Sequence, residues 1–303
     1  MPDFKTYRTN VKIGNWNEEQ HLEEVWGQMR LLTYRFVGVL APFSHLLVEL
    51  SVTTDGALHF GDVVMLLNVG DTGECSALGI NAYIDHMTKI PSPGIKGPCG
   101  VSAGRSIQPC VRTAFIITSV DGTPEGATLH YEQSFALKTT SDFTGGMYLT
   151  SDVQTFRKCA LRSRLQEVNL DERECFLSWW KLVHFDPQER LEHEGLPVPV
   201  SANVNVVVLH CKTNQALAVM EHFVLGTTYG NEYEVTAHTF LDTHRAEKSN
   251  NHWILCTADP DAEGLLLLNR LKSEGNCVSL PRENPDDPTE YIRCSVCNYR
   301  EDR

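Results

Sequence analysis

Leu58-His59-Phe60-Gly61-Asp62-Val63-Val64-Met65-Leu66 decides the fold, because the chain says nearly the same thing again. Leu129-His130-Tyr131 opens a second strand-like run that ends Phe135-Ala136-Leu137. The same step onward reaches Val200 and Val208, the latter inside Val204-Asn205-Val206-Val207-Val208-Leu209. The interval is about 70 residues, and self-similarity at a fixed period constrains architecture before any residue is assigned chemistry. Each opening run has a closing partner with an aromatic head and a turn. These are Phe115-Ile116-Ile117 to Asp121-Gly122, Trp180-Lys181-Leu182 to Asp186-Pro187, and Trp253-Ile254-Leu255 to Asp259-Pro260. Three β-rich units, each with an unburied apolar face, close most simply on one another around a pseudo-threefold axis. Trp180 and Trp253 then read as core rings that plug that axis, rather than as sugar-stacking platforms.

Working outward, residues 1–50 read as an arm. Asn17 caps a helix, with Gln20 completing a capping box, and Leu22, Val25, Trp26, Met29 and Leu32 form one apolar stripe. Glu18, Glu19, Glu23 and Glu24 sit in the early turns, where the helix dipole favours negative charge. Residues 51–260 are the repeat region, with β-branched or alternating runs between turn clusters such as Thr54-Asp55-Gly56 and Asp121-Gly122-Thr123-Pro124. Short helical pieces are expected at Ile80–Met87 and Asp171–Phe176. Pro91-Ser92-Pro93-Gly94 and Gly195-Leu196-Pro197 read as loops between units, and His184 and His193 as flanking a turn. Residues 261–303 become rich in Glu, Asn, Asp and Pro and read as an irregular, mobile tail.

The bulk numbers narrow the function classes. A hydrophobic fraction of 42% and a charged fraction of 21% are those of an ordinary soluble globular protein. The formal net charge of −13 disfavours nonspecific nucleic-acid binding and adhesion to an anionic membrane, although a local patch can invert the mean. Phe36–Leu50 is the most apolar stretch, but Pro42, Ser44, His45 and Glu49 interrupt it, so it reads as a packing segment and not a bilayer crossing. The polar first residues and the lack of an Asn-X-Ser/Thr sequon point away from secretion, so the ten cysteines are expected as thiols. Cys294-x-x-Cys297, preceded by Cys277, has ligand spacing but lacks the second pair that a structural zinc site needs.

Candidate catalytic groups fail on context. Gly100-Val101-Ser102-Ala103-Gly104 matches the nucleophile-elbow pattern, which needs a strand before it and a helix after it. Pro91, Pro93, Gly97 and Pro98 precede it and Pro109 follows, so no catalytic serine is expected. His210-Cys211 resembles a nucleophilic dyad, but strand neighbours point to opposite faces. His59 and His130 recur at matching positions and read as structural. No phosphate loop is present. Neither a catalytic residue, a cofactor site nor a metal site is expected.

Several longer strings carry a resemblance. Val11-Lys12-Ile13-Gly14-Asn15-Trp16-Asn17-Glu18, Phe60 to Leu66, Asp186 to Glu192, and Glu234 to Lys248 running on to Asn251-His252-Trp253 resemble the cilia- and flagella-associated protein 161 family. The likeness runs from about residue 11 to 260, and its repeats look like the MIR type of β-trefoil lobe. That resemblance implies an all-β, β-trefoil-like body of three internal repeats, with an N-terminal helical arm and an irregular tail. It implies a non-enzymatic microtubule inner protein inside the A-tubule of axonemal doublets, near the seam, in motile cilia and flagella. Its partners would be the α/β-tubulin lattice and other inner proteins, with no nucleic acid and no membrane. Asn15, Trp16 and Trp26 in the arm, and His244 and Arg245 in the loop His238 to Lys248, are the expected contacts. The rival expectation is a ligand-binding trefoil for a sugar or a phosphorylated small molecule, for which Lys158, Arg162 and Arg164 are the available cations.

Overall fold

The computed structural model describes residues 46–70, 73–82, 87–88, 94–140, 144–193 and 196–258. The expected arm helix, with Asn15, Trp16 and Trp26, lies outside the described residues, as do the tail and Cys277, Cys294 and Cys297. The described chain is almost entirely β. In order it forms β1 (Val63–Val69), β2 (Cys75–Asn81), β3 (Met87–Thr88), β4 (Gly94–Ile95), β5 (Cys99–Gly104) and β6 (Ala114–Ser119). There follow β7 (Ser134–Thr139), β8 (Tyr148–Ser151), β9 (Gln166–Asp171) and β10 (Trp180–His184). A single α-helix among the described residues, α1 (Pro187–His193), precedes β11 (Asn205–His210), β12 (Leu217–Thr227), β13 (Gly230–Ala237) and β14 (His252–Cys256).

Two local expectations are corrected. Ile80 belongs to strand β2, because Ile80 and Asn81 complete its pairing with Val101 and Gly100 of β5. Asp171 ends strand β9, paired with Tyr148, and only Phe176–Ser178 beyond it turns helically, as a 3₁₀ turn. Conversely, the segment between His184 and His193 is not a bare turn. Asp186 Oδ1 accepts the Gln188 N–H at 2.8 Å, Pro187 supplies the fixed φ of a first helical position, and α1 results.

Pairing closes the strands on themselves. β1 pairs with β6, β6 with β7, β7 with β10, β10 with β11, β11 with β14, and β14 with β1, all antiparallel. That ring leaves no open edge, which is the usual hazard of a sheet. Three further hairpin-like pairs, β2–β5, β8–β9 and β12–β13, join one another through β5–β9, β9–β13 and β13–β5. β1 and β11 are buried on both faces, which is why they read as near-continuous apolar stretches, whereas β9 alternates. In β1, Met65, Leu67 and Val69 share one face and pack with Leu50, Ala114 and Ile254, while Val64 and Leu66 alternate to the other side.

The sequence period has a direct hydrogen-bonded counterpart. The Leu58 N–H donates to the Val200 carbonyl, Leu129 to Leu58, and Val200 to Leu129, at 2.9, 2.8 and 2.9 Å. All three side chains are fully buried. Three residues later in each segment stand Gly61, Glu132 and Asn203, each with a positive φ. Their N–H groups donate to Ile117, Leu182 and Leu255 on the closing strands. Phe115, Trp180 and Trp253 are fully buried, so the two indoles are core rings and not exposed platforms. The Trp180 indole N–H donates to the Leu149 carbonyl and that of Trp253 to Leu217, at 2.8 and 2.9 Å, which removes the penalty for burying them. At about 25 cal/mol per Å² over about 150–250 Å², each large ring contributes roughly 4–6 kcal/mol of transfer free energy.

Candidate interaction surface

The buried polar chemistry holds the fold together. Ser102 lies mid-strand in β5 with its side chain fully buried, so it is no exposed nucleophile. Its Oγ donates to Glu232 Oε2 at 2.7 Å. The same oxygen accepts from Arg112 Nη2 at 2.6 Å and from Thr227 Oγ1 at 3.1 Å. Arg112 Nε donates to the Ile80 carbonyl at 2.7 Å, and its guanidinium lies 4.0 Å from the Tyr229 ring centroid. Gly104 belongs to this cluster, since a Cβ there would fall 2.6 Å from Glu232 Oε1. The apparent nucleophile-elbow motif is thus a strand that makes room for a buried ion pair.

The His210-Cys211 pair also dissolves. The His210 ring is buried, with Nε2 at 2.9 Å from the Leu177 carbonyl and Nδ1 at 2.9 Å from Thr213 Oγ1. Burial lowers its pKa and raises that of Cys211, so both stay neutral, the opposite of an imidazolium–thiolate couple. Cys99 is pushed up to about 12 by burial. Cys99, Cys110, Cys159, Cys175 and Cys211 are free thiols. Among those residues no three His, Cys, Asp or Glu side chains are grouped to hold a metal ion, and no helix is long and apolar enough to cross a membrane.

A cleft of about 150 Å³ lies beside β8 and β9, where Asp152, Lys158, Glu167, Asp171 and Arg173 meet. Lys158 is paired with Asp152 at 3.8 Å, and Lys212 reaches the other Asp152 oxygen at 2.7 Å. These partners hold the Asp152 carboxyl below its ordinary range, with the Lys212 bond the largest cause. Burial raises Glu167. Ligand pockets usually span about 300–1,000 Å³, so this cleft is small for a sugar or an inositol phosphate.

The loop between β13 and β14 is built differently. Its base is locked: Asn251 is fully buried, accepts the Phe240 N–H at 2.8 Å, and donates to the Leu217 and His238 carbonyls. The Lys248 N–H closes back on the Phe240 carbonyl at 2.9 Å. Leu241 and Glu247 bridge, and Asp242 Oδ1 accepts the N–H groups of both His244 and Ala246 at 2.8 Å. From outside, Arg190 of α1 grips Glu247 with two bonds of 3.0 and 2.8 Å. The tip, residues 241–245, is exposed, with Arg245 held at φ 65°. His244 and Arg245 therefore sit together on a rigid, outward tip. Asn251, Arg190 and Glu247 set its geometry; they stand in the strings that carry the family resemblance, but nothing local in them signals this role, although Asp186-Pro187 ahead of Arg190 is a helix-start signal.

A family model described as a cilia- and flagella-associated protein 161-like domain matches residues 43–258, a span that includes every described residue. The chain belongs to the cilia- and flagella-associated protein 161 family. A zebrafish (Danio rerio) protein of that name is 44% identical over 310 residues, covering 97% of this chain and 100% of the relative. A bovine (Bos taurus) one is 37% identical, covering 93% and 92%. Among solved structures, the SDF2-like protein of Arabidopsis thaliana aligns at a TM-score of 0.46 and 17% identity, over 66% of this chain and 94% of that one. At that score no ligand or activity passes from it to this family member.

Proposed function

We propose that this chain is a non-enzymatic structural protein of the motile cilium and flagellum, a microtubule inner protein that binds the α/β-tubulin lattice and neighbouring inner proteins inside the A-tubule of axonemal doublets, near the seam. Membership of a family whose relatives are named cilia- and flagella-associated protein 161 carries this reading. We take the body, residues 51–260, as a β-trefoil of three MIR-type lobes, flanked by a contact arm (1–50) and a tail (261–303). The bonds that recur at Leu58, Leu129 and Val200 support that architecture. A body built on a closed ring of strands is a stiff spacer, and the buried Ser102, Arg112 and Glu232 are spent on holding it together. Contact falls to the arm, through Asn15, Trp16 and Trp26, and to the loop tip, through His244 and Arg245. Each contact is modest, and repetition along a lattice multiplies their effect.

The test is cryo-electron imaging of doublets from cells that lack the protein, then from the same cells given the wild-type chain or a His244→Ala/Arg245→Ala variant. Luminal density near the seam should vanish in the null, return with the wild type, and weaken with the variant. Unchanged density in the null rejects the reading.

A further inference from the structure

Residues 153–164, between β8 and β9, invert the charge of the whole molecule. Acidic residues outnumber basic ones 39 to 26 over the chain, yet this stretch carries Arg157, Lys158, Arg162 and Arg164 and no Asp or Glu. All four cations are exposed. So are three large apolar side chains: Val153 at 53%, Leu161 at 67% and Phe156 at 99%. An aromatic ring left almost wholly in water on a folded loop forgoes several kcal/mol of burial that a core position would supply.

The loop is nevertheless firmly built. Glu234 of β13, itself buried, points its carboxylate into the loop's base, where Oε1 accepts the Arg162 N–H and Oε2 the Ser163 N–H, both at 2.8 Å. Two charge-assisted bonds to adjacent amides fix the backbone. Ala160 is buried and its N–H donates to the Leu165 carbonyl at 2.8 Å. Thr155 and Lys158 close the tip, with the Thr155 N–H on the Lys158 carbonyl at 2.9 Å and the Lys158 N–H on Thr155 Oγ1 at 3.0 Å. Among the described residues Arg157 and Arg162 form no side-chain ion pair, while Lys158 is shared with Asp152. A buried carboxylate thus preorganises a loop that displays unpaired guanidinium groups beside an unburied ring. Arg and aromatic side chains are the residue types that dominate protein–protein hot spots, and preorganisation removes part of the ordering cost.

We infer that residues 153–164 form a docking loop for an acidic protein surface, with Phe156 entering an apolar pocket and Arg157, Arg162 and Arg164 meeting the carboxylates around it. Charge complementarity selects this occupant. A continuous anionic membrane would face the whole molecule, whose net charge is −13, and not the loop alone, whereas a protein patch presents negative charge only where the loop touches it. A phosphorylated small molecule would satisfy the guanidinium groups and leave Phe156 in water. The contact is small, so it works as one of several attachments in an assembly. In that respect the inference rests on the axonemal reading above.

The experiment places a photo-reactive phenylalanine analogue at position 156 of the full chain, expressed in ciliated cells lacking the native protein. Axonemes are isolated, irradiated, and the adduct sequenced. In parallel, Phe156→Ala, Arg157→Glu/Arg162→Glu and the surface control Val224→Ala are compared for retention during graded salt extraction. The expected result is an adduct on a segment of a neighbouring protein rich in Asp and Glu. Phe156→Ala should release roughly tenfold more readily, the scale of an aromatic hot spot, and the charge reversal at least as readily, with Val224→Ala unaffected. If the wild type is retained but position 156 yields no such adduct, or both variants hold like wild type, the docking loop is refuted and the axonemal reading stands. If anionic vesicles or inositol hexakisphosphate bind the loop and Phe156→Ala leaves that binding unchanged while axonemal retention is normal, the protein occupant is also refuted. If the wild type is absent from axonemes, the axonemal reading fails and the docking loop falls with it.

Discussion

Glu232→Ala is the substitution from which the body should suffer most visibly. Glu232 is 5% exposed, and its Oε2 collects donors from Arg112, Ser102 and Thr227 within 3.1 Å. Removing the carboxylate strands the Arg112 guanidinium, itself 8% exposed, with the Ile80 carbonyl, a 3.4 Å bond to Ser102 Oγ and the Tyr229 face but no counter-charge. Breaking a buried pair from one side costs about 3–5 kcal/mol, because an uncompensated charge remains inside. For a body of this size, 1 kcal/mol moves Tm by about 2–4 °C, so the expected fall is roughly 6–20 °C. The double variant Arg112→Met/Glu232→Leu removes both charges together. It still loses the bond to Ile80 and the acceptor for Ser102, each worth about 1 kcal/mol. It should therefore be more stable than Glu232→Ala alone, by roughly 1–3 kcal/mol. Calorimetric or circular-dichroism melts of wild type, both single variants and the double close the cycle. A Glu232→Ala melt within about 2 °C of wild type, or a double variant as unstable as the sum of the singles, would refute the idea that charge burial governs this site.

Three further outcomes follow from particular contacts. His210 has a lowered folded pKa, chiefly through burial, so its contribution to stability is complete above the unfolded value of about 6.5 and is lost as pH falls through the folded one. Melts between pH 8 and pH 5 should show that decline, and His210→Gln should flatten it; an unchanged profile contradicts the assignment. Glu234→Ala deletes both bonds to the Arg162 and Ser163 amides, each of a charge-assisted type worth about 1.5–3 kcal/mol. Limited trypsinolysis should then cut at Arg157 and Arg162 well before the rest of the body yields, and equal cutting rates in wild type and variant would count against the pinned loop. Glu132 holds φ 64° and its ion pair with Lys181 is solvent-exposed, so Glu132→Gly should be neutral or stabilising, whereas Gly61→Val, at φ 95°, should cost about 1–3 kcal/mol. Urea denaturation midpoints of the two variants should move apart, and a common shift would contradict equivalent backbone roles.

Much of the architecture was legible because it rests on periodic burial. The run Leu58 to Leu66, its counterpart near Leu129 and the position of Val200 are apolar wherever the backbone turns inward, and that demand survives without knowledge of any partner strand. The same reasoning assigned Trp180 and Trp253 to the core. It failed at Ile80 and Asp171, where short stretches are apolar or polar enough for either state and cross-strand pairing decides. It missed α1, since a seven-residue helix shows barely two turns of pattern and only its Asp186-Pro187 start is diagnostic. At the candidate surface, His244 and Arg245 were picked out from a long distinctive string. The supports that aim them, Asn251 and Arg190, carry no local signal, because they act on residues elsewhere in space.

The amino-acid order alone determined that the chain is β-rich, with buried apolar positions at Leu58, Leu129 and Val200, that Gly-x-Ser-x-Gly sits where no helix can follow, and which family the chain resembles. Those features depend on neighbours along the chain, where covalent spacing fixes geometry. Tertiary structure alone decided that Glu232, 130 residues after Ser102, would claim its hydroxyl. It also decided that Glu234 would reach back 72 residues to hold the Arg162 amide and so present Phe156 to solvent. Contacts across such separations arise only when the sheet closes, because closure, not sequence spacing, brings those atoms within bonding distance.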